Sequence, residues 1–274
     1  MPSFSDDPVA DLEAGLCASW ARQVALSGSG SLHRLGGLLV ALSGVEDQTQ
    51  QVALVERPMV DPVSSVVAAE ALFHAAGWAP AFDLVQGAHP GVEEVLVERG
   101  YGVRVERPGM VHLLGGARGR RQVVGTNIVW ATVAHLRDLA AVQSRAFGLD
   151  GDVASQLLPA ASLRTSGLEV LVAIDAHGGV VGGLCLHLDG AVAGIVGAAV
   201  DPERQRQGIG SALTRAALDR AKAQGARTVW LQATAAGEPL WRREGFVDVR
   251  TCQVWLVSQD RNPELHPSPR PTGL

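Results

Sequence analysis

The stretch from Val200 to Ser211, Val-Asp-Pro-Glu-Arg-Gln-Arg-Gln-Gly-Ile-Gly-Ser, combines residue types that could hold a phosphorylated ligand. An apolar run ends at Val200, Pro202 prevents it from continuing as a strand, and Gly208 and Gly210 fall where a helix begins. Such a junction leaves backbone N–H groups unpaired. Those donors and the positive end of the helix dipole suit a pyrophosphate, and glycine lets it approach where a side chain would collide. Arg204 and Arg206 add positive charge nearby. A Walker P-loop is excluded because no Gly-Lys-Ser/Thr follows, and the Gly-x-Gly-x-x-Gly of a dinucleotide fold is absent.

Acid–base chemistry is less well provided for. Downstream lie Leu231-Gln232-Ala233-Thr234 and Leu240-Trp241-Arg-Arg-Glu-Gly-Phe246, in which Gln232 and Trp241 have no proton that titrates near pH 7. His187 and Glu238 are the weak catalytic candidates, with a solvated turn histidine and a helix-start carboxylate as the ordinary roles of such residues. Trp241, a large ring on a short helix, suits either packing or the wall of a site. The eight histidines show no ligand spacing, so no metal is expected, and Cys17, Cys185 and Cys252 read as buried reduced thiols.

These residues need an α/β framework. A strand near Asn127–Trp130 and a helix over Val133–Phe147 come first, then a second helix near Val153–Leu163. Strand-like runs at Glu169–Ile174, Val180–Leu188 and Ala191–Val200 are joined by Asp175-Ala-His-Gly-Gly179 and Asp189-Gly190, which predicts three consecutive antiparallel strands. A helix over Gly208–Gln224, a strand at Thr228–Ala233, a short helix at Glu238–Glu244 and a strand at Val247–Val257 complete the segment. The N-terminal half repeats part of this plan. Val60-Asp-Pro62 matches Val200-Asp-Pro202, and Gly100-Tyr101 matches Gly245-Phe246, in the same order. The differing spacings imply a deletion between the two matches, and Val63-Ser-Ser-Val-Val-Ala-Ala69 stands where the second copy has its glycines. We therefore expect an N-terminal copy without a cofactor site.

The 274 residues accordingly divide into a degenerate domain (1–116), a basic glycine-rich linker (117–122), a second domain (123–258) and an extended tail (259–274). The hydrophobic content of 47% and net charge of −5 fit a soluble protein with no basic surface for nucleic acid. Without an apolar run of about 18 residues or a signal-like N-terminus, no membrane association is expected, and the cytoplasm is the expected compartment.

The order strand, Val-Asp-Pro, Gln205-x-x-Gly208-x-Gly210, helix, strand, Leu-aromatic-(x)3-Gly-Phe resembles the core of the GNAT (Gcn5-related N-acetyltransferase) family, and a looser resemblance covers Val123–Val257. It implies a mixed, mostly antiparallel GNAT-type sheet flanked by helices, here present twice. It also implies acetyl-CoA or another acyl-CoA as co-substrate, with the acyl group passing to a primary amine of a small molecule or protein. By resemblance, the backbone of Ala198, Ala199 and Val200 pairs with the pantetheine arm, and Gln205, Arg206, Gln207, Gly208, Ile209, Gly210 and Ser211 surround the pyrophosphate. Thr234 falls where the family often has an Asn facing the arm, and Trp241 stands at its usual Tyr. Gln232 occupies a position where some members have a base, so a non-catalytic acyl-CoA sensor is the alternative. One competent and one degenerate module resemble the arrangement of the bacterial mycothiol synthases, and imply a monomer with an internal pseudo-dimer, or a homodimer.

Overall fold

The computed structural model describes residues 7–115 and 125–257, so the expected linker at 117–122 and the tail at 259–274 lie outside the described residues. The N-terminal half begins with α1 (Pro8–Ser27), β1 (Ser31–Leu35), β2 (Leu38–Leu42) and β3 (Gln51–Val55). It continues through α2 (Pro62–Ala75), β4 (Ala81–Val85), α3 (Pro90–Glu98) and β5 (Tyr101–Leu113). The C-terminal half runs β6 (Thr126–Trp130), α4 (Val133–Phe147), α5 (Gly151–Leu157), β7 (Leu168–Asp175), β8 (Val180–Asp189) and β9 (Val192–Val200). Then follow α6 (Ile209–Ala223), β10 (Thr228–Gln232), α7 (Glu238–Arg243) and β11 (Val247–Val257).

The expected second helix near Val153–Leu163 is two pieces, α5 and a 3-10 turn at Ala160–Arg164, because Pro159 interrupts it. Local chemistry explains the other ends well. Asp7 caps α1 by accepting from Val9 N at 2.9 Å, Pro8 occupies its first turn, and Gly28 ends it with φ 70°.

All the strands form one mixed, mostly antiparallel sheet in the order β1-β2-β3-β4-β11-β5-β10-β9-β8-β7-β6. The last strand of each half lies in the other half's sheet. β5 pairs with β10 and β11, while β11 pairs with β4 and β5. The two exchanged strands form the longest ladder, from Val247 opposite Val111 to Val257 opposite Tyr101. Alternating side chains fill cores on both faces. On one face α2, α3, α6 and α7 cover clusters that include Phe73, Phe82, Leu213 and Phe246. On the other, α1 and α4 cover Leu12, Leu16, Trp230, Leu139 and Val172. All three cysteines are free and buried.

The internal repeat is visible in the element order, but one of the two sequence matches falls at a different place in each half. Val60-Asp61-Pro62 opens α2 itself, whereas Val200-Asp201-Pro202 ends β9 and opens a 3-10 turn ahead of α6 at Ile209. Val55, the end of β3, is the counterpart of Val200, and from these two residues the spacing to Gly100 and to Gly245 is the same, so the copies need no net deletion. Gly100 and Gly245 do correspond: each follows a short helix with φ 86°, where glycine avoids the left-handed penalty.

Candidate functional site

β9 and β10 run parallel only where Val192, Ala193 and Gly194 pair with Thr228, Val229 and Trp230. Beyond that point β9 keeps β8 on its far side and β10 keeps β5, but the two strands part. A wedge therefore opens between their C-terminal ends. Within it β9 bulges at Gly197, whose φ is 61°, and its register against β8 shifts. Buried Gln143 of α4 holds the bulge by donating from Nε2 to the Gly197 carbonyl at 2.7 Å.

The loop after Val200 is tied down on two sides. Arg145 of α4 pairs with Asp201 and holds that carboxyl below the usual carboxylate range. Arg204 reaches Asp175 Oδ2 in the β7–β8 turn at 3.1 Å. Between these ties and α6 the backbone is left-handed at Arg206 (φ 64°) and at Gly208 (φ 86°). Arg206 is the only non-glycine residue with positive φ among the described residues. A conformation disfavoured for a residue with a side chain is thus held at the head of the helix. Gly208 is the N-cap of α6 and offers no side chain to its first-turn amides. Left-handed residues alternating with ordinary ones turn successive N–H groups towards one point, the geometry of an anion nest, and the helix dipole adds to it. The Arg206 side chain is exposed, and Arg243 Nη2 lies 3.4 Å from Ser211 Oγ on the first turn of α6.

The corresponding place in the N-terminal half is built the opposite way. β3 and β4 also part after a single pair, Ala53 with Phe82, but α2 is capped by Asp61, whose Oδ1 accepts from Ser64 N at 3.0 Å. Bonds from Ser64 keep that carboxyl ionised to lower pH than usual. A carboxylate occupies the donors that Gly208 leaves open.

The structure brings most of the sequence-predicted residues together. Ala198, Ala199 and Val200 lie on the stretch of β9 that runs beside β8 but no longer pairs with β10, and Gln205 donates to the Val200 carbonyl at 3.3 Å. Gln205, Arg206, Gln207 and Gly208 are exposed, Gly210 and Ser211 half-buried, and Ile209 is buried in the core beneath α6. Thr234, exposed just beyond β10, accepts from Gly237 N at 3.1 Å. Trp241 turns into the core, edge-on to Phe246 with ring centroids 5.6 Å apart.

Both acid–base candidates are already engaged. His187 is not a solvated turn residue: it is 5% exposed on β8, and Arg22 Nη1 of α1 lies 3.0 Å from its Nδ1. Burial, with the Arg22 charge, pushes the imidazole down to about 4. Glu238 pairs with Arg242 at 2.9 Å on α7. Gln232 points across the sheet into the N-terminal half, where its Nε2 donates to Asp83 Oδ2 at 3.1 Å. Asp83 is buried, and burial pushes its carboxyl up to about 6. Sequence reasoning missed Gln143 and Asp83, whose partners lie far away along the chain. Among the described residues, no group of three or more His, Cys, Asp or Glu could hold a metal, and no helix is long and apolar enough to cross a membrane.

A splayed parallel strand pair, a bulge on one strand and a glycine-capped helix at its end set this place in the mixed α/β sheet apart. The acetyltransferase (GNAT) family model matches residues 133–246. A GCN5-related N-acetyltransferase from Kribbella flavida superposes with a TM-score of 0.73 at 20% identity, covering 92% of this chain and 96% of that one. A tandem GNAT protein from the clavulanic acid biosynthesis pathway, determined without AcCoA, gives 0.61 at 16% identity over 90% and 92% of the two chains. A GCN5-related N-acetyltransferase from Sphaerobacter thermophilus gives 0.59 at 13% identity over 92% and 96%. Those likenesses establish a shared fold across nearly the whole chain. No curated protein matches the sequence.

Proposed function

We propose that the protein is an acetyl-CoA-dependent N-acyltransferase that moves an acetyl group to a primary amine of a small molecule or a protein. The observation that carries this reading is the α6 junction, where an uncapped helix end and left-handed backbone at Arg206 and Gly208 adjoin an open strand wedge. In this reading the amides of Arg206–Ser211 hold the pyrophosphate of the co-substrate, with the Arg206 and Arg243 guanidiniums beside it. The unpaired edge of β9 at Ala198–Val200 takes the pantetheine arm as a further strand, and Thr234 faces it from the end of β10. A neutral amine attacks the thioester carbonyl, and a backbone N–H near Val200 stabilises the charge that develops on oxygen. Collapse of the intermediate breaks the C–S bond and releases the CoA thiolate, which takes up the proton the amine loses. No side-chain base is assigned. Gln232 cannot accept a proton and is bound to Asp83, so water carries the proton from an amine that is neutral on arrival. The N-terminal half holds no second co-substrate, because Asp61 sets a negative charge over α2. Its α1 packs on the sheet at Trp230, and in this reading the N-terminal half closes one wall of the acceptor cleft.

The engagement of Gln232 and the burial of Trp241 favour a second reading, a protein that binds acyl-CoA without turning it over. Thiol release from acetyl-CoA, followed across a broad amine panel, separates the two. Turnover with one or more amines supports the enzyme; saturable binding with no release for any amine sinks it and leaves the sensor.

A further inference from the structure

The point where β9 and β10 close carries a large ring in an unusual slot. Trp230 is 2% exposed and lies opposite Gly194, the last pair before the strands part. A methyl group on Gly194 would come within 2.5 Å of the indole Cε2, and one on Gly15 of α1 within 1.9 Å of Nε1. The ring is therefore sandwiched between the backbone of β9 and the backbone of a helix from the N-terminal half. Both glycines sit inside regular elements, where glycine weakens a helix or a strand, so packing alone would be served better by a smaller side chain between two alanines. Trp230 shares its sheet face with Val192 and Val196, at the narrow end of the wedge that widens towards the head of α6.

We propose that Trp230 limits the length of the acyl group that the site accepts. The inference rests on the reading of β9 as the strand that carries the thioester arm. An arm entering from the α6 junction runs back along β9 with its acyl group leading, towards the apex that the indole fills. Acetyl and propionyl groups stop short of the ring; longer chains meet it. Because Gly15 fixes the other side of the ring, the N-terminal half helps to set this limit without binding the co-substrate.

The test is calorimetric titration of acetyl-, propionyl-, butyryl- and hexanoyl-CoA into the full chain and its Trp230→Leu and Trp230→Phe variants. The unmodified protein should bind hexanoyl-CoA at least about tenfold more weakly than acetyl-CoA. Trp230→Leu should bind hexanoyl-CoA about tenfold more tightly than the unmodified protein while holding acetyl-CoA within about threefold. Retained acetyl-CoA binding also shows that the variant is folded. Should Trp230→Leu not fold, the milder Trp230→Phe must still strengthen butyryl-CoA binding. Equal affinity for all chain lengths in the unmodified protein, or an unchanged preference in a folded variant, overturns the proposal and leaves the function standing. Failure of the unmodified protein to bind any acyl-CoA overturns both.

Discussion

Replacing Asp83 by asparagine should stabilise the protein above pH 6 and have little effect below pH 4. Burial raises this carboxyl from 3.8 to about 6, so between those values the folded state holds a proton that the unfolded chain has released. Stability therefore falls as pH rises through this window, and the full penalty stands above pH 6. A shift of roughly two units corresponds to about 3 kcal/mol at most. Asparagine keeps an oxygen for the Gln232 amide and carries no charge, so Asp83→Asn should recover much of that amount. His187 acts in the opposite sense. Its imidazole is pushed from 6.5 down to about 4, so the unfolded chain binds the extra proton first and stability rises with pH across this range. The two slopes nearly cancel in the unmodified protein. Asp83→Asn should expose the histidine slope as a rise of up to about 3 kcal/mol between pH 4 and 6.5, read from urea denaturation at one-unit pH steps. A variant profile that runs parallel to the parent, or a variant less stable at pH 8, would refute the assignment of a buried, penalised carboxylate.

Removing residues 1–122 should not leave an independent module. β10 would lose the partner that pairs from Leu113 to Gly109, and Trp230 would lose α1. The truncated chain is expected to aggregate or self-associate in size-exclusion chromatography, because an unpaired central strand edge recruits other chains; a soluble monomer with native acetyl-CoA binding would argue against the exchanged-strand architecture. Gln143→Leu leaves the Gly197 carbonyl without its donor, and should cost about 1–3 kcal/mol in chemical denaturation while weakening acetyl-CoA binding. If only stability changed, the bulge would be structural and not part of the cleft.

Local features were the ones the sequence made legible. Gly208 and Gly210 after Pro202 mark the strand-to-helix junction through backbone rules that act within a few residues, and the elements from Asn127 to Val257 follow from periodicity for the same reason. Partnerships across the chain were not legible. Nothing in the valines of β5 and β11 says which half's sheet they join, since either strand would bury the same pattern in its own half. Gln232 and Asp83 are 149 positions apart, and Arg22 and His187 are 165 apart. His187 looked like a turn residue because Asp189-Gly190 follows it, yet a cation from α1 closes over it. The Val-Asp-Pro match misled because proline opens α2 directly in one half and a 3-10 turn in the other.

The central claim is that the α6 junction of the C-terminal half binds the pyrophosphate of an acyl-CoA. Calorimetric titration of acetyl-CoA into the full chain and into a Gly208→Arg variant, with circular dichroism to verify the fold, tests it most directly. The account predicts saturable binding at one site per chain in the unmodified protein and none in the folded variant. Equal binding by the two proteins, or two equivalent sites per chain, would contradict it.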